Sequence, residues 1–422
     1  MTEAFLAYLW QYKLLQTHLQ STDGKEIQII NTGSLNTDSG PDFFNARIKI
    51  DDTLWAGNVE IHIRASDWDR HGHQNDDAYN NTILHIVFEE DKKIQTSDGN
   101  QPVCLELRGK FDAKYLSKYE YLLHNKNWIP CARQLDEIDD FLWKSWLERL
   151  AVERLERKSE FVYELLDSTQ NDWEKAFFIS MAGYFGQKVN KLPFQILARS
   201  IDPKIVAKHK DQAFQLEALL FGQAGLLEKD KRDEYQSKLR KEYDFLKAKY
   251  KLVQMPAHLW KYMRLRPASF PDIRMSQLAD LLSKNDFIFS KILEAKNPKT
   301  LEKLLIAEAS EYWNQHYRFG LDSPKRIKKL GKSTRAGIMI NAIIPFLFVY
   351  GRMHSKPELE ERATEFLNHL KAEQNHISRG FSVLGKKPKN SLESQAMIEL
   401  KQNYCDFKKC LHCQIGLSII KK

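Results

Sequence analysis

The hydrophobic period of the chain changes once, near residue 130, and that change restricts the fold more than any other feature. Upstream, apolar and polar residues alternate or run in short apolar stretches over 26–30, 43–50, 54–64, 82–88 and 103–107. Such runs, separated by Asp23-Gly24, Asp51-Asp52 and Ser97-Asp98-Gly99-Asn100, read as strands and turns. One helix is expected over 3–20, and a second from a Ser66 or Asp67 N-cap to about Tyr79. Downstream of Asp136 the period becomes helical, over 139–166, 172–185, 212–221, 228–251, 275–282, 299–313 and 357–373. These segments share no constant repeat length, which excludes a solenoid of the tetratricopeptide kind. The expected architecture is therefore α+β, with a mixed α/β domain at 1–132 and an all-helical domain at 133–422. The Lys/Gly/Pro-rich stretch 378–391 reads as a mobile basic loop.

Charge divides along the same line. Residues 1–130 carry 13 basic and 19 acidic side chains, whereas 131–422 carry 51 and 37, giving +8 in total. A basic body leans toward an anionic partner such as nucleic acid. With 42% apolar and 28% charged residues, the composition excludes a mostly disordered or fibrous chain. The start of the chain has no signal-peptide pattern. The longest apolar run, Gly337 to Tyr350, is interrupted by Asn341 and Pro345 and falls short of the roughly 20 residues of a membrane span, so it reads as a buried helix. Five cysteines in 422 residues argue against a disulfide scaffold, and a cytoplasmic protein without a membrane partner is expected.

The segment with the most chemical content is Gly40-Pro41-Asp42-Phe43-Phe44, followed by Gly57-Asn58-Val59-Glu60-Ile61-His62-Ile63. Residues two apart on a strand share a face, so Glu60 and His62 point one way while Val59, Ile61 and Ile63 point into a core. Asp42 begins the neighbouring strand, which sets its carboxylate beside that of Glu60. Paired carboxylates form an oxygen-rich site for Mg²⁺ or Mn²⁺. His71, His73, Asp76, Asp77 and Tyr79 cluster just downstream, with His73, Asp76 and Tyr79 near one face of the expected helix.

A Pro-Asp at a strand start, 18 residues to a Glu-x-His on the next strand, within an α-β-β-β-α-β order, resembles the PD-(D/E)xK nuclease pattern. The resemblance implies a restriction-endonuclease-like domain at 1–132, with Asp42, Glu60 and the backbone carbonyl after Glu60 as ligands of Mg²⁺ or Mn²⁺. His62 stands where the family has Lys, exchanging a permanent cation for a group that is neutral near pH 7. The stretch 69–79 resembles a divergent form of the Gln-x-x-x-Tyr helix of RecB-like nucleases, which adds His73 to the expected catalytic set of Asp42, Glu60 and His62.

Cys405, Cys410 and Cys413 lie within nine residues, a metal-ligand spacing, and Cys131 is the natural fourth thiol, with His412 as runner-up. Cys104, in an apolar strand, reads as a core residue. The set Cys131, Cys405, Cys410 and Cys413 is similar to the iron–sulfur staple of some RecB-like nucleases, and either Zn²⁺ or [4Fe–4S] suits four thiolates. End to end, the chain also resembles an uncharacterised bacterial family of the Bacteroidota type, a domain of unknown function. That likeness rests on 31–46, Gly57–His62, Ser269–Arg274 and Cys410–Gly416.

Arg264, Arg266 and Arg274 offer guanidinium forks for phosphates, with Trp260, Tyr262 and Phe270 interleaved. The expected function is metal-dependent hydrolysis of DNA or RNA phosphodiesters. The alternative is a non-catalytic nucleic-acid-binding or scaffold protein on a degenerate nuclease fold. A third option is a metalloenzyme using His62, His71 and His73 on a small molecule, which requires those histidines to converge.

Overall fold

The computed structural model describes residues 1–227 and 233–422. By contacts the chain divides into two compact units, residues 1–146 together with 400–422, and residues 147–399. The sequence placed the division at 132/133 and left the C-terminal segment with the helices. The 23 residues from Leu400 instead pack within the first unit, for reasons given with the cysteines below.

The first unit is built on a seven-stranded mixed sheet. Its strands are β1 (Leu19–Gln20), β2 (Glu26–Asn31), β3 (Ser34–Leu35), β4 (Phe43–Ile50), β5 (Thr53–Arg64), β6 (Thr82–Glu89) and β7 (Val103–Glu106). The spatial order is β1-β2-β4-β5-β6-β7, with β3 paired to the start of β4. β2, β4 and β5 form an antiparallel meander, whereas β5/β6 and β6/β7 are parallel. Helix α1 (Glu3–Gln11) is capped by the Thr2 hydroxyl and sets Phe5, Leu6, Leu9 and Trp10 into the core. It ends at Gln11 and not near residue 20, because Lys13 turns left-handed (φ 51°) and the chain is then drawn into β1.

A parallel β5/β6 pair needs a crossover connection. That crossover departs from the expected helix to Tyr79. Helix α2 covers only Asp67–Arg70, and two 3₁₀ turns, His73–Asn75 and Asp77–Tyr79, follow it. The break lies at Gly72, whose φ of 82° is a left-handed conformation that a side chain would disfavour. Helix α3 (Ala113–His124) follows the sheet.

Helices dominate the rest. They are α4 (Asp140–Ser168), α5 (Trp173–Phe185), α6 (Gln187–Arg199), α7 (Pro203–Lys208), α8 (Ala213–Gln223), α9 (Glu234–Tyr250), α10 (Pro271–Lys284), α11 (Ile288–Glu294) and α12 (Pro298–Leu304). The expected helix over 228–251 begins partly outside the described residues. The one expected over 299–313 stops at Leu304, where Glu308 bridges to Lys329 and Ala309 N–H donates to the Lys328 carbonyl at 3.0 Å. Then come α13 (Lys332–Ile338), α14 (Ile344–Met353), α15 (Pro357–His369), α16 (His376–Val383) and α17 (Ser391–Glu399). Part of the expected basic loop is thus α16, started by an Asn375 capping box.

A π-turn at Met339–Ile343 joins α13 to α14 into one 22-residue helical stretch whose most apolar 18-residue window has a mean hydropathy of 1.5. By length and composition it could cross a bilayer; in this unit 67% of its most apolar window is buried, against α5 and α15. Beside it lies a polar network that the periodicity did not reveal. Lys158 Nζ donates to Asn341 Oδ1 (2.9 Å) and Gln395 Oε1 (2.6 Å), and Arg154 Nε donates to the same Gln395 oxygen at 2.7 Å. Arg157 pairs with Glu399, and Gln395 reaches Glu373. These bonds tie α4 to α17 and to the π-turn.

Candidate functional site

The antiparallel register of β4 and β5 pairs Phe43 with Val59, so the residue before β4 faces the residue after Val59. Asp42 and Glu60 are therefore neighbours, as expected. Asp42 N–H donates to Glu60 Oε2 at 3.0 Å, and Ile61 N–H donates to Asp42 Oδ2 at 3.0 Å. Each carboxylate is fixed through one oxygen. A bulge between Phe43 and Ala46, with Asn45 at φ 57°, bends β4 just beyond Asp42.

Glu60 is only 6% exposed and His62 1%. One face of this strand lies under α1, with Val59 and Ile61 buried. On the other, the Gly72 break folds the crossover back over the sheet. His71 Nδ1 comes to 3.2 Å from His62 Nε2, and His73 Nε2 to 3.2 Å from Glu60 Oε1. His62 Nε2 lies 3.6 Å from the same Glu60 oxygen. His62, His71 and His73 converge so that one ligand nitrogen from each lies within 4.8 Å of the others. The His73 ring stacks on Tyr79 at 3.8 Å, while Asp76 turns away and caps Ala78 N–H at 2.9 Å. Tyr79 belongs to the site as the helical reading expected, but by stacking and not by helical spacing; Asp76 does not.

Two residues escaped the sequence reading. His85, in parallel register with Glu60, is fully buried, and its Nε2 lies 2.9 Å from His62 Nδ1. The available signal was a single polar residue on the Glu60 face of the otherwise apolar strand 82–88. Glu3, at the start of α1, lies within electrostatic reach of Glu60, Asp67 and His71. Helical periodicity gives no information about where the start of a helix lands on a sheet.

The electrostatics follow from this crowding. Burial, and then the Glu60 charge, push Asp42 up to about 7. Burial, followed by the neighbouring His85, His73 and His71, drives His62 down to about 2, and burial with His73 takes His85 to about 3. His62 is therefore held neutral, with the lone pair of one ring nitrogen available. It cannot supply the cation that lysine would provide.

The four cysteines also meet. Cys131, Cys405, Cys410 and Cys413 line one small cavity walled by Ile129, Leu135, Leu400 and Ile415, all within the first unit. Here the chain after Leu400 runs through a π-turn to Cys405 and a 3₁₀ turn at Cys410–His412, and α18 (Gln414–Lys421) then packs on α3. Lys408 Nζ reaches the carbonyls of Leu123 and Asn125. Burial raises the thiols, Cys131 and Cys410 to about 12. Cys413 is the exception in part, since the Ile415 and Gly416 N–H groups and Trp146 favour its thiolate. His412 is not among the residues lining this cavity. Cys104 is a buried residue in β7, packed with Trp68 and Val87.

The arginines separate. Arg264 and Arg266 are exposed. Arg274 is 6% exposed and donates to Gln277 Oε1 (3.1 Å), Ser269 and Thr334, so its guanidinium holds the helical unit together and is not presented to a phosphate backbone. Trp260 is likewise buried, its Nε1 bonded to the Ala224 carbonyl at 2.8 Å.

Compared with known families, residues 3–376 match the family described as Protein of unknown function (DUF2851), and the chain belongs to it. The match spans Asp42, Glu60 and all four histidines of the cluster, and ends before Cys405. No curated protein and no solved structure matches the chain.

Proposed function

We propose that this chain is a divalent-metal-dependent phosphodiesterase acting on DNA or RNA, with a PD-(D/E)xK-like site in its first unit. The observation that carries the reading is the Asp42–Glu60 pair. The buried Glu60 and half-buried Asp42 carboxylates are locked side by side through Oε2 and Oδ2, which leaves Oε1 and Oδ1 for a cation. Such a pair is costly without a positive partner, as the raised Asp42 pKa indicates. The strand arrangement supports the same reading. An antiparallel meander followed by a crossover to a parallel strand is the order the PD-(D/E)xK resemblance calls for.

Asp42 and Glu60 would hold Mg²⁺ or Mn²⁺, which supplies Lewis acidity and a water of lowered pKa. The chain's own residues orient that site. The Ile61 and Asp42 amides fix the two carboxylates, His62 presents a neutral ring nitrogen beside Glu60, and Tyr79 holds the His73 ring by stacking. The surplus of basic residues beyond 130, with exposed Arg264 and Arg266, would attract the polyanion. Cys131, Cys405, Cys410 and Cys413 would hold Zn²⁺ or a [4Fe–4S] cluster that fastens the C-terminal segment within the first unit.

The test is hydrolysis of single- and double-stranded DNA and RNA with Mg²⁺ or Mn²⁺, set against an Asp42→Ala control. No cleavage by either protein sinks the reading. One observation favours a second reading, because a neutral, buried His62 lacks the charge of the family lysine. A binding protein on a degenerate site would bind nucleic acid in a salt-sensitive way that survives both Asp42→Ala and Glu60→Ala.

A further inference from the structure

We propose that His62, His71 and His73, together with Glu60 Oε1, form a binding site for a first-row transition metal ion, of the Mn²⁺-to-Zn²⁺ series, that excludes Mg²⁺. The inference rests on the reading above only for its location and names the metal class of that site.

The distances are those of a coordination shell. Ligands about 2.1 Å from one ion stand about 3.0 Å apart at octahedral edges and about 3.4 Å apart at tetrahedral ones. The observed separations are 3.2 Å (His62 Nε2 to His71 Nδ1), 3.2 Å (His73 Nε2 to Glu60 Oε1) and 3.6 Å (His62 Nε2 to Glu60 Oε1). All three histidine donor nitrogens lie within 4.8 Å of one another, and Glu60 Oε1 is within 3.6 Å of both His62 Nε2 and His73 Nε2.

The protonation pattern points the same way. A ligating histidine characteristically uses its second nitrogen to bond a neighbour that fixes its tautomer. His62 has such a partner, with Nδ1 2.9 Å from His85 Nε2. When His62 Nδ1 carries the proton and donates it there, the Nε2 lone pair faces His71 and Glu60. His73 Nε2 is buried with no hydrogen bond, although Glu60 Oε1 is nearby, because the two are not aligned for one. A nitrogen turned toward a carboxylate without bonding it suits an ion shared between them.

Donor chemistry selects the metal. Imidazole suits Zn²⁺, Fe²⁺ and Ni²⁺, with Mn²⁺ at the weak end of the same series, whereas Mg²⁺ keeps oxygen ligands and several of its waters. The access is right as well. His71 is exposed and His73 12% exposed, so the ion can enter from solvent while the His62 and Glu60 ligands stay buried.

The experiment uses the full chain, stripped with EDTA and titrated with Mn²⁺, with free Mn²⁺ read by its electron paramagnetic resonance signal. Mn²⁺ avoids the thiol site, because a hard ion prefers oxygen donors to thiolates. The expected result is one Mn²⁺ per chain that a hundredfold excess of Mg²⁺ does not displace. His71→Ala and His73→Gln should each weaken it by about 10–100-fold while circular dichroism melts stay within a few degrees of the parent. Displacement by Mg²⁺, or unchanged Mn²⁺ affinity in both folded variants, overturns the proposal and leaves the rings as a hydrogen-bonded cluster. Mn²⁺ held through the histidines in a chain that cleaves no nucleic acid supports this inference and defeats the phosphodiesterase reading alone. Cleavage that runs as well on Mg²⁺ in both histidine variants does the reverse.

Discussion

Asp42 and Glu60 each hold the other's strand in place, because Asp42 N–H bonds the Glu60 carboxylate and Ile61 N–H bonds the Asp42 carboxylate, both at 3.0 Å. The reciprocity keeps two negative groups together in a buried site where repulsion alone would part them. It also separates what the pair does for folding from what it does for binding, since one oxygen of each carboxylate serves the backbone and the other faces the site.

Asp42→Asn tests that separation. An amide oxygen still accepts from Ile61 N–H, but one of two crowded negative charges is gone. The metal-free variant should melt higher than the parent, by a few degrees for a gain of about 1 kcal/mol. Hydrolysis with Mn²⁺ should fall by at least about 100-fold. Differential scanning calorimetry of the metal-free proteins checks the first half and a Mn²⁺ cleavage assay the second, and a variant that melts lower and keeps its activity contradicts the assignment.

Gly57→Ala tests how the site depends on the β5/β6 contact. A Cβ there would meet Ile83 Cγ2 at 2.4 Å and the Asn81 carbonyl oxygen at 2.7 Å, so the start of β6 would have to move away from β5. His85 sits on β6 opposite Glu60 and would move with it. The cost should be about 1–3 kcal/mol, with Mn²⁺ affinity reduced although no ligand has changed. Urea denaturation and the Mn²⁺ titration together decide, and unchanged stability would mean the contact relaxes freely.

How much of this was legible in the sequence depends on what each signal encodes. Strands β4, β5 and β6 were readable within a residue or so, β4 because its burial alternates and β6 because a short apolar run bounded by turns marks a strand buried on both faces. The Asp42–Glu60 pairing followed from a hairpin whose turn, Asp51-Asp52, fixed the register. The histidines were readable as candidates only. Their convergence depends on Gly72 stopping a helix that Ser66 and Asp67 appeared ready to start, and one left-handed residue leaves no periodic trace. His85 was hidden by its apolar neighbours, and Arg274 was misleading because a guanidinium buried among Gln277, Ser269 and Thr334 has the same sequence signature as an exposed one. In α4, nothing in the helical period marks Lys158 and Arg154, although both reach Gln395, 237 and 241 residues away along the chain.

The cysteine site predicts metal-dependent order at the C-terminus. With four thiols around one cavity, bound metal should protect the 400–422 segment, and Cys413→Ser should expose it. Limited trypsin digestion would then cut after Lys408 or Lys409 faster in the variant than in anaerobically purified parent. Metal analysis should find Zn, or Fe with sulfide, near one site per chain in the parent and well below that in the variant. Equal digestion and no metal in either protein would reduce the four thiols to packing.

Lys158 gives the helical unit a pH dependence of definite sign. Its ammonium is enclosed by Asn341 and Gln395, and burial, reinforced by the Arg154 charge, lowers its pKa from 10.5 to about 7. Between about 7 and 10.5 the unfolded chain therefore binds one proton that the folded chain does not. Stability must rise with pH across that window, by up to about 1.4 kcal/mol per pH unit from this group. Below 7 both states are protonated and the contribution is flat at its least favourable value. Lys158→Met keeps most of the side-chain volume and removes the titration, so its stability should change less than the parent's between pH 7 and 9. Urea denaturation of the two proteins at pH 6, 7.5 and 9 makes the comparison, with the difference cancelling groups that titrate in both. Parallel stability curves would place the Lys158 pKa outside this window and make its bonds to Asn341 and Gln395 those of an ordinary charged lysine.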